Sequence, residues 1–162
     1  MASLKFVSSV WQSFRASSGL EPRLLDTLRI SAARPGTVNF ELDIQKHHTN
    51  RLGTVHGGTI AAMVDLGGSL AVASRGLNAT GVSTDLNVTY MNPGGNVGDT
   101  LRVEVTCDKF GKTMAYTSIK FVNGKGMLVA RGSHTKYVAI AWKDKDKKVE
   151  EMKDEASQTA DA

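Results

Sequence analysis

At 162 residues, with 41% hydrophobic and 22% charged residues, the chain has the composition of one soluble globular domain that can bury a single core. No run approaches the ~20 apolar residues of a membrane-spanning helix, and the single cysteine, Cys107, excludes an internal disulfide and points to a reducing compartment. The formal charge of +4 is uneven: from Lys143 onward five lysines face seven acids, which leaves a net +6 on the first 142 residues. A basic body attracts polyanions such as nucleotide-bearing cofactors. Only Lys46, His47, His48 and Arg51 approach a basic cluster, and none of it is interleaved with aromatics, so nucleic acid is not an expected partner.

Residues 1–20 contain no acid, two bases and six serines, with Val7, Val10, Trp11 and Phe14 at helical spacing. They predict an amphipathic helix that either packs on the domain or serves as a mitochondrial targeting segment. The main domain is expected over residues 21–142. Leu24–Ala32 and Thr37–Ile44 read as strands joined by a turn at Arg34-Pro35-Gly36, followed by a polar loop from His47 to Val55. Gly57–Arg75 is long and rich in Ala, Met and Leu, so it predicts a buried helix. Gly67 and Gly68 inside it cost about 1 kcal/mol each relative to alanine, which makes sense if another element packs very close. Gly81–Tyr90, Thr100–Lys109, Met114–Asn123 and Met127–Tyr137 predict four strands in a mostly antiparallel meander, curled around the apolar helix. Residues 143–162 show no apolar face and are expected to be a charged, largely disordered tail.

The chemistry concentrates before and within the long helix. The run T-V-H-G-G ends at Gly58, where the first helical N–H groups have no intrahelical partner and the positive end of the helix dipole points outward. Such an arrangement can polarise a carbonyl and hold an oxyanion, although glycine-rich helix starts are also common as plain structure. Asp65 lies eight residues after Gly57, among apolar neighbours that offer it little polar company. It is either a general base whose pKa burial raises, or a structural carboxylate. Asn50 can donate an amide N–H, His56 can orient it or serve a leaving group, and Ser83 can hold a water beside Asp65. Each of these has an ordinary loop or strand role as its alternative. The chain has no G-x-S-x-G nucleophile motif, and the spacing of His47, His48, His56 and Asp65 matches no zinc motif, so no metal is expected. Cys107 reads as a buried strand residue.

Taken together, HTNRLGTVHGGTIAAMVDLGGSLA, VSTDLNVTYMNPGGNVGDTLRVEV, GKTMAYTSIKF and LVARGSHTK resemble the hotdog-fold acyl-coenzyme A thioesterases and the related phenylacetate-degradation thioesterases. The likeness runs from about Phe14 to Tyr137, so it takes in part of the N-terminal helix and weakens the targeting reading; the tail lies outside it. It implies an α+β hotdog fold, an antiparallel sheet wrapped around a long helix, assembled as a homodimer or a homotetramer made of two dimers. It also implies active sites at the subunit interface. Asn50 and the Gly57 N–H would bind the thioester oxygen, and the partner's Asp65 would activate water or, less commonly, attack directly. Ser83 would place that water, and His56 would support Asn50 and the thiolate. No cofactor is implied, since coenzyme A is part of the substrate. Two other readings stay open: a hydratase or dehydratase acting on acyl thioesters, and a non-catalytic acyl-coenzyme A-binding scaffold. Acyl chain type is not legible, with Met63, Leu66 and Met91 as candidate lining residues; cytoplasm and mitochondrion both remain compatible.

Overall fold

The computed structural model describes residues 2–160; Met1, Asp161 and Ala162 are outside the described residues. Helix α1 (Ala2–Ser17) buries Val7, Val10 and Trp11, the stripe its sequence spacing predicts, against the core. A short helix α2 (Glu21–Leu24) comes next, with a proline in its first turn. Proline there gives up no hydrogen bond and sets the helical φ. Leu24 therefore belongs to a helix, and strand β1 (Leu28–Arg34) starts four residues later than the alternation suggested.

Strand β2 (Thr37–Asp43) returns antiparallel to β1 through a turn in which Gly36 adopts φ +86°. After a single 3-10 turn at Lys46–His48 the chain enters the long helix α3 (Gly57–Ala73). Strands β3 (Val82–Tyr90), β4 (Thr100–Phe110), β5 (Met114–Val122) and β6 (Leu128–Tyr137) complete one six-stranded antiparallel sheet. Its order is β1-β2-β4-β5-β6-β3. The expected meander holds for β4-β5-β6, whereas β3 crosses to the far edge and pairs with β6.

Helix α3 packs against β2 through β6 and has almost no face left for water. The sheet strands β2, β4 and β5 alternate buried and exposed residues, and the buried set (Phe40, Val103, Val105, Ile119, Phe121) meets Met63, Leu66 and Leu70 of the helix. The helical glycines mark the closest approach. A Cβ on Gly67 would lie 2.7 Å from Ile119 Cδ1, and one on Gly68 would lie 2.3 Å from His134 Nδ1. The sequence expectation of tight packing at these two glycines holds, and it comes from the sheet.

The charged tail is the main correction to the fold. Residues 149–160 form helix α4 (Val149–Ala160), with Val149 and Met152 buried one turn apart. Two apolar residues suffice because the helix docks on existing structure rather than on a core of its own. The Glu155 carboxylate accepts from both Ser3 N–H (2.9 Å) and Ser3 Oγ (2.8 Å), capping the first turn of α1. An anion at a helix N-terminus is favoured both by the free N–H groups and by the dipole. Among the described residues no helix is long and apolar enough to cross a membrane.

Candidate active site

Helix α3 begins at His56, which caps it: His56 Nδ1 accepts from the Gly58 N–H at 2.7 Å. A neutral imidazole has one lone pair, so the capping bond places the ring proton on Nε2, on an exposed side chain. The Gly57 N–H has no partner among the described residues. Tyr90, at the end of β3, donates its hydroxyl to the Gly57 carbonyl at 2.7 Å. Its ring lies 3.3 Å from where a Gly57 Cβ would be, so glycine leaves room for the ring against the backbone.

Asn50 organises the loop ahead of the helix. Its Oδ1 accepts from the N–H groups of Leu52 (2.9 Å) and Thr54 (3.3 Å), which fixes the amide orientation. Its Nδ2 makes one bond, to Thr54 Oγ1 at 3.2 Å, so the second amide N–H stays available. Asn50, His56 and Gly57 thus form one donor-bearing junction at the helix start.

Asp65 sits two turns further along α3, in a different neighbourhood. Ser83 Oγ donates to Asp65 Oδ1 at 2.9 Å, and His134 Nε2 lies 2.7 Å from Ser83 Oγ and 3.4 Å from Asp65 Oδ1. The expectation of a carboxylate isolated by burial is corrected: the Asp65 side chain is 46% exposed in the single chain and has polar company from two strands. The His134 ring, by contrast, is fully buried. Since the single Ser83 proton goes to Asp65, Ser83 accepts from His134, which puts the His134 proton on Nε2. The chain of donors therefore runs His134, Ser83, Asp65. The Nδ1 of His134 has no hydrogen-bond partner among the described residues and rests against Gly68.

Burial holds the His134 ring well below the usual histidine range; the nearby Lys136 acts in the same direction and Asp65 opposes them. Lys136 is itself only 3% exposed, with its Nζ 2.8 Å from Ser69 Oγ. Burial lowers its pKa too, against the opposing charge of Asp65. Neither His134 nor Lys136 was singled out by sequence reasoning. One signal was present, since both lie on the same face of β6 as alternate residues of H-T-K, opposite the stretch of α3 that bears Asp65, Gly68 and Ser69.

Gly68→Ala tests this packing. Alanine is the better helix former, yet its Cβ would overlap the His134 ring, so we expect a net loss of about 1–3 kcal/mol. A thermal melt should show a lower midpoint, with turnover reduced as the Ser83 contact shifts. An equal or higher midpoint with full turnover would contradict the packing described.

The chain matches the Thioesterase superfamily over residues 52–130, a span that contains Gly57, Asp65 and Ser83. It is 38% identical over 117 residues to human acyl-coenzyme A thioesterase 13, covering 72% of this chain and 83% of the human one. The chain belongs to the thioesterase superfamily. A candidate esterase of Schizosaccharomyces pombe is 45% identical over 141 residues, covering 87% of this chain and 88% of its own. The crystal structure of zebrafish thioesterase superfamily member 2 superposes with a TM-score of 0.73 at 37% identity, covering 81% of this chain and 96% of that one. The hotdog fold and the assignment as a thioesterase follow.

In this thioesterase the five sequence-predicted residues fall into two groups. Asp65 and Ser83 touch, while Asn50, His56 and Gly57 share the loop and helix start. Eight residues of α-helix separate Gly57 from Asp65, about 12 Å along the axis. Of the candidate lining residues, Met63 and Leu66 are fully buried in the core and Met91 is 40% exposed. Cys107 is buried, and burial pushes its thiol up to about 11, as suits a packing residue. Asp26, His47 and His48 bring three potential ligand atoms within 4.8 Å of one another. His48 Nδ1, however, accepts from the Gln45 N–H at 2.9 Å, so its Nε2 carries the proton and faces Asp26 Oδ1 at 3.5 Å. That ring has no lone pair left for a cation.

Proposed function

We propose that this thioesterase hydrolyses acyl-coenzyme A thioesters, fatty or aromatic, with water activated by Asp65 at sites shared between two subunits. The observation that carries the reading is the Ser83–Asp65 contact at 2.9 Å, on the same helix whose start leaves the Gly57 N–H with no partner among the described residues. Asp65 takes the proton of the attacking water. Ser83, whose proton is committed to Asp65, keeps a lone pair to orient that water. The thioester oxygen, gaining negative charge on attack, lies against the Gly57 N–H and the free Asn50 Nδ2 N–H at the positive end of α3. The His56 Nε2–H, fixed by the capping bond, faces the departing thiolate. A thioester carbonyl is reactive enough for one positioned base and an oxyanion site. Coenzyme A arrives as part of the substrate, and no separate cofactor takes part.

Support for two subunits comes from distance and from the sheet edge. Base and oxyanion donor for one carbonyl lie within about 8 Å of each other when each is hydrogen-bonded to the reacting atoms, less than the axial separation of Gly57 and Asp65. Strand β3, which carries Ser83, is an edge strand exposed on both faces, with Val82, Leu86 and Tyr90 open to solvent. Such an edge offers free backbone groups to a second copy of the chain.

The test is thiol release from acyl-coenzyme A over a chain-length series, with Asn50→Ala and Ser83→Ala alongside. Each variant should lose about 10- to 1000-fold in kcat. Tight binding of the thioesters without thiol release by the wild-type protein would replace hydrolysis with a binding role. Water addition to an enoyl thioester without thiol release would replace it with a hydratase.

A further inference from the structure

A cavity of about 500 Å³ lies between helix α4, the β1–β2 turn and the end of β4. Phe110, Val149, Met152 and Ala156 give it apolar walls; its charged lining residues, Arg75 and Lys153, are both bases, and no acid lines it among the described residues. The helix that closes it is fastened at two points. The Lys148 N–H donates to the Gly76 carbonyl at 2.6 Å, next to Arg75 in the chain, and further along Glu155 holds Ser3. Gly76 adopts φ +99°, and a Cβ there would lie 2.5 Å from the Lys148 carbonyl carbon, so no other residue fits this junction without strain.

Arg75 is the cation without a counter-charge. Its guanidinium packs on Gly36, where a Cβ would lie 2.6 Å from Nη2, and its one hydrogen bond among the described residues runs from Nη2 to the Cys107 carbonyl at 3.4 Å. Nε is buried without a partner, and no carboxylate comes within 4 Å among the described residues. Asp108, beside Cys107 on β4, accepts from the Thr106 and Ser118 hydroxyls instead. Lys153 pairs with Glu150 at 2.9 Å, where both are exposed. A half-buried guanidinium with donors to spare suits a carboxylate, whose two oxygens match its planar fork.

We propose that this cavity binds a long-chain carboxylate, the anion of a free fatty acid, with its head on Arg75 and its chain along Phe110, Val149 and Met152. One uncompensated cation balances the single charge of a carboxylate, whereas a phosphate monoester would bring about two. The apolar walls take the chain, and the volume falls in the range of small-molecule sites. The site is separate from the proposed catalytic groups. Asp65 precedes Arg75 by about 15 Å along the helix axis. Strand β3, the edge offered to a second copy, lies across the sheet from β1 and β2. Occupancy of the cavity therefore does not depend on the hydrolytic reading.

The test is calorimetric titration of the full-length protein with laurate, kept below the concentration at which it forms micelles. Wild type should bind laurate, and should bind methyl laurate, which keeps the chain and lacks the charge, at least about tenfold more weakly. Arg75→Met removes the charge and keeps an apolar stem; it should lose about tenfold or more in laurate affinity. Ala156→Phe fills the cavity from the α4 side, leaves Arg75 in place, and should lose binding as well. Melting midpoints near wild type identify the folded variants, and either one alone decides. Laurate held at the catalytic groups instead would bind both variants as it binds wild type, and that result overturns the proposal. So does a wild-type protein that takes up no laurate, or takes up methyl laurate equally well. None of these readouts uses turnover, so the site and the hydrolysis fail separately.

Discussion

Asp65→Asn should leave a protein that folds, binds substrate and releases almost no thiol. The asparagine carbonyl oxygen can accept the Ser83 proton that Asp65 Oδ1 now accepts at 2.9 Å, so the local hydrogen-bond chain survives. What disappears is the site for the proton of the attacking water. General-base catalysis contributes about 10²- to 10⁴-fold, and the loss in kcat should fall in that range. The Michaelis constant should change much less, because the oxyanion donors and the helix start are untouched. Melting curves close to wild type would separate lost chemistry from lost fold. Full turnover in this variant would remove Asp65 from the mechanism. Hydrolysis in oxygen-18 water under single-turnover conditions adds a second distinction: label in the released acid fits attack by water, and label left on Asp65 fits direct attack by the carboxylate.

Much of this arrangement is legible in the amino-acid sequence. The apolar length of Gly57–Ala73 marks a buried helix, and Gly67 and Gly68 within it mark close packing, because glycine is tolerated there only when something takes the space. Asp65 stands out as an acid in an apolar helix, and Ser83 reads from the sequence as a strand serine able to hold a water beside it, a role the family likeness strengthens. His134 and Lys136 escape notice because a histidine and a lysine on a strand look like an exposed polar alternation. Only the three-dimensional register shows that their shared face is the one turned toward α3. The crossing of β3 to the far edge is invisible for a similar reason: local turn signals say where strands end but not which neighbour each one finds. Helix α4 reads as a disordered tail because its apolar face is two residues deep, and its docking depends on a partner, Ser3, 152 positions away. Local pattern reports the elements, whereas long-range pairing decides which polar residues end up buried.

Mixing two inactive variants should restore activity. The donor junction at Asn50, His56 and Gly57 and the base pair at Asp65 and Ser83 are set along one helix, about two turns apart. In a two-fold symmetric dimer, a site made from the helix start of one subunit and the Asp65 of its partner occurs twice. Asn50→Ala homodimers then carry two damaged oxyanion sites, and Asp65→Asn homodimers carry two sites without a base. In a mixed dimer both lesions fall on the same site and the other site is intact. Dissociation and random reassociation of equal amounts makes half the dimers mixed, so turnover should recover to about a quarter of wild type. Each parent alone should stay far below that level. If both groups served one carbonyl within a single chain, every subunit in the mixture would keep its own lesion. Thiol release from the mixture would then stay at the average of the two parents, and the shared-site arrangement would have to be given up.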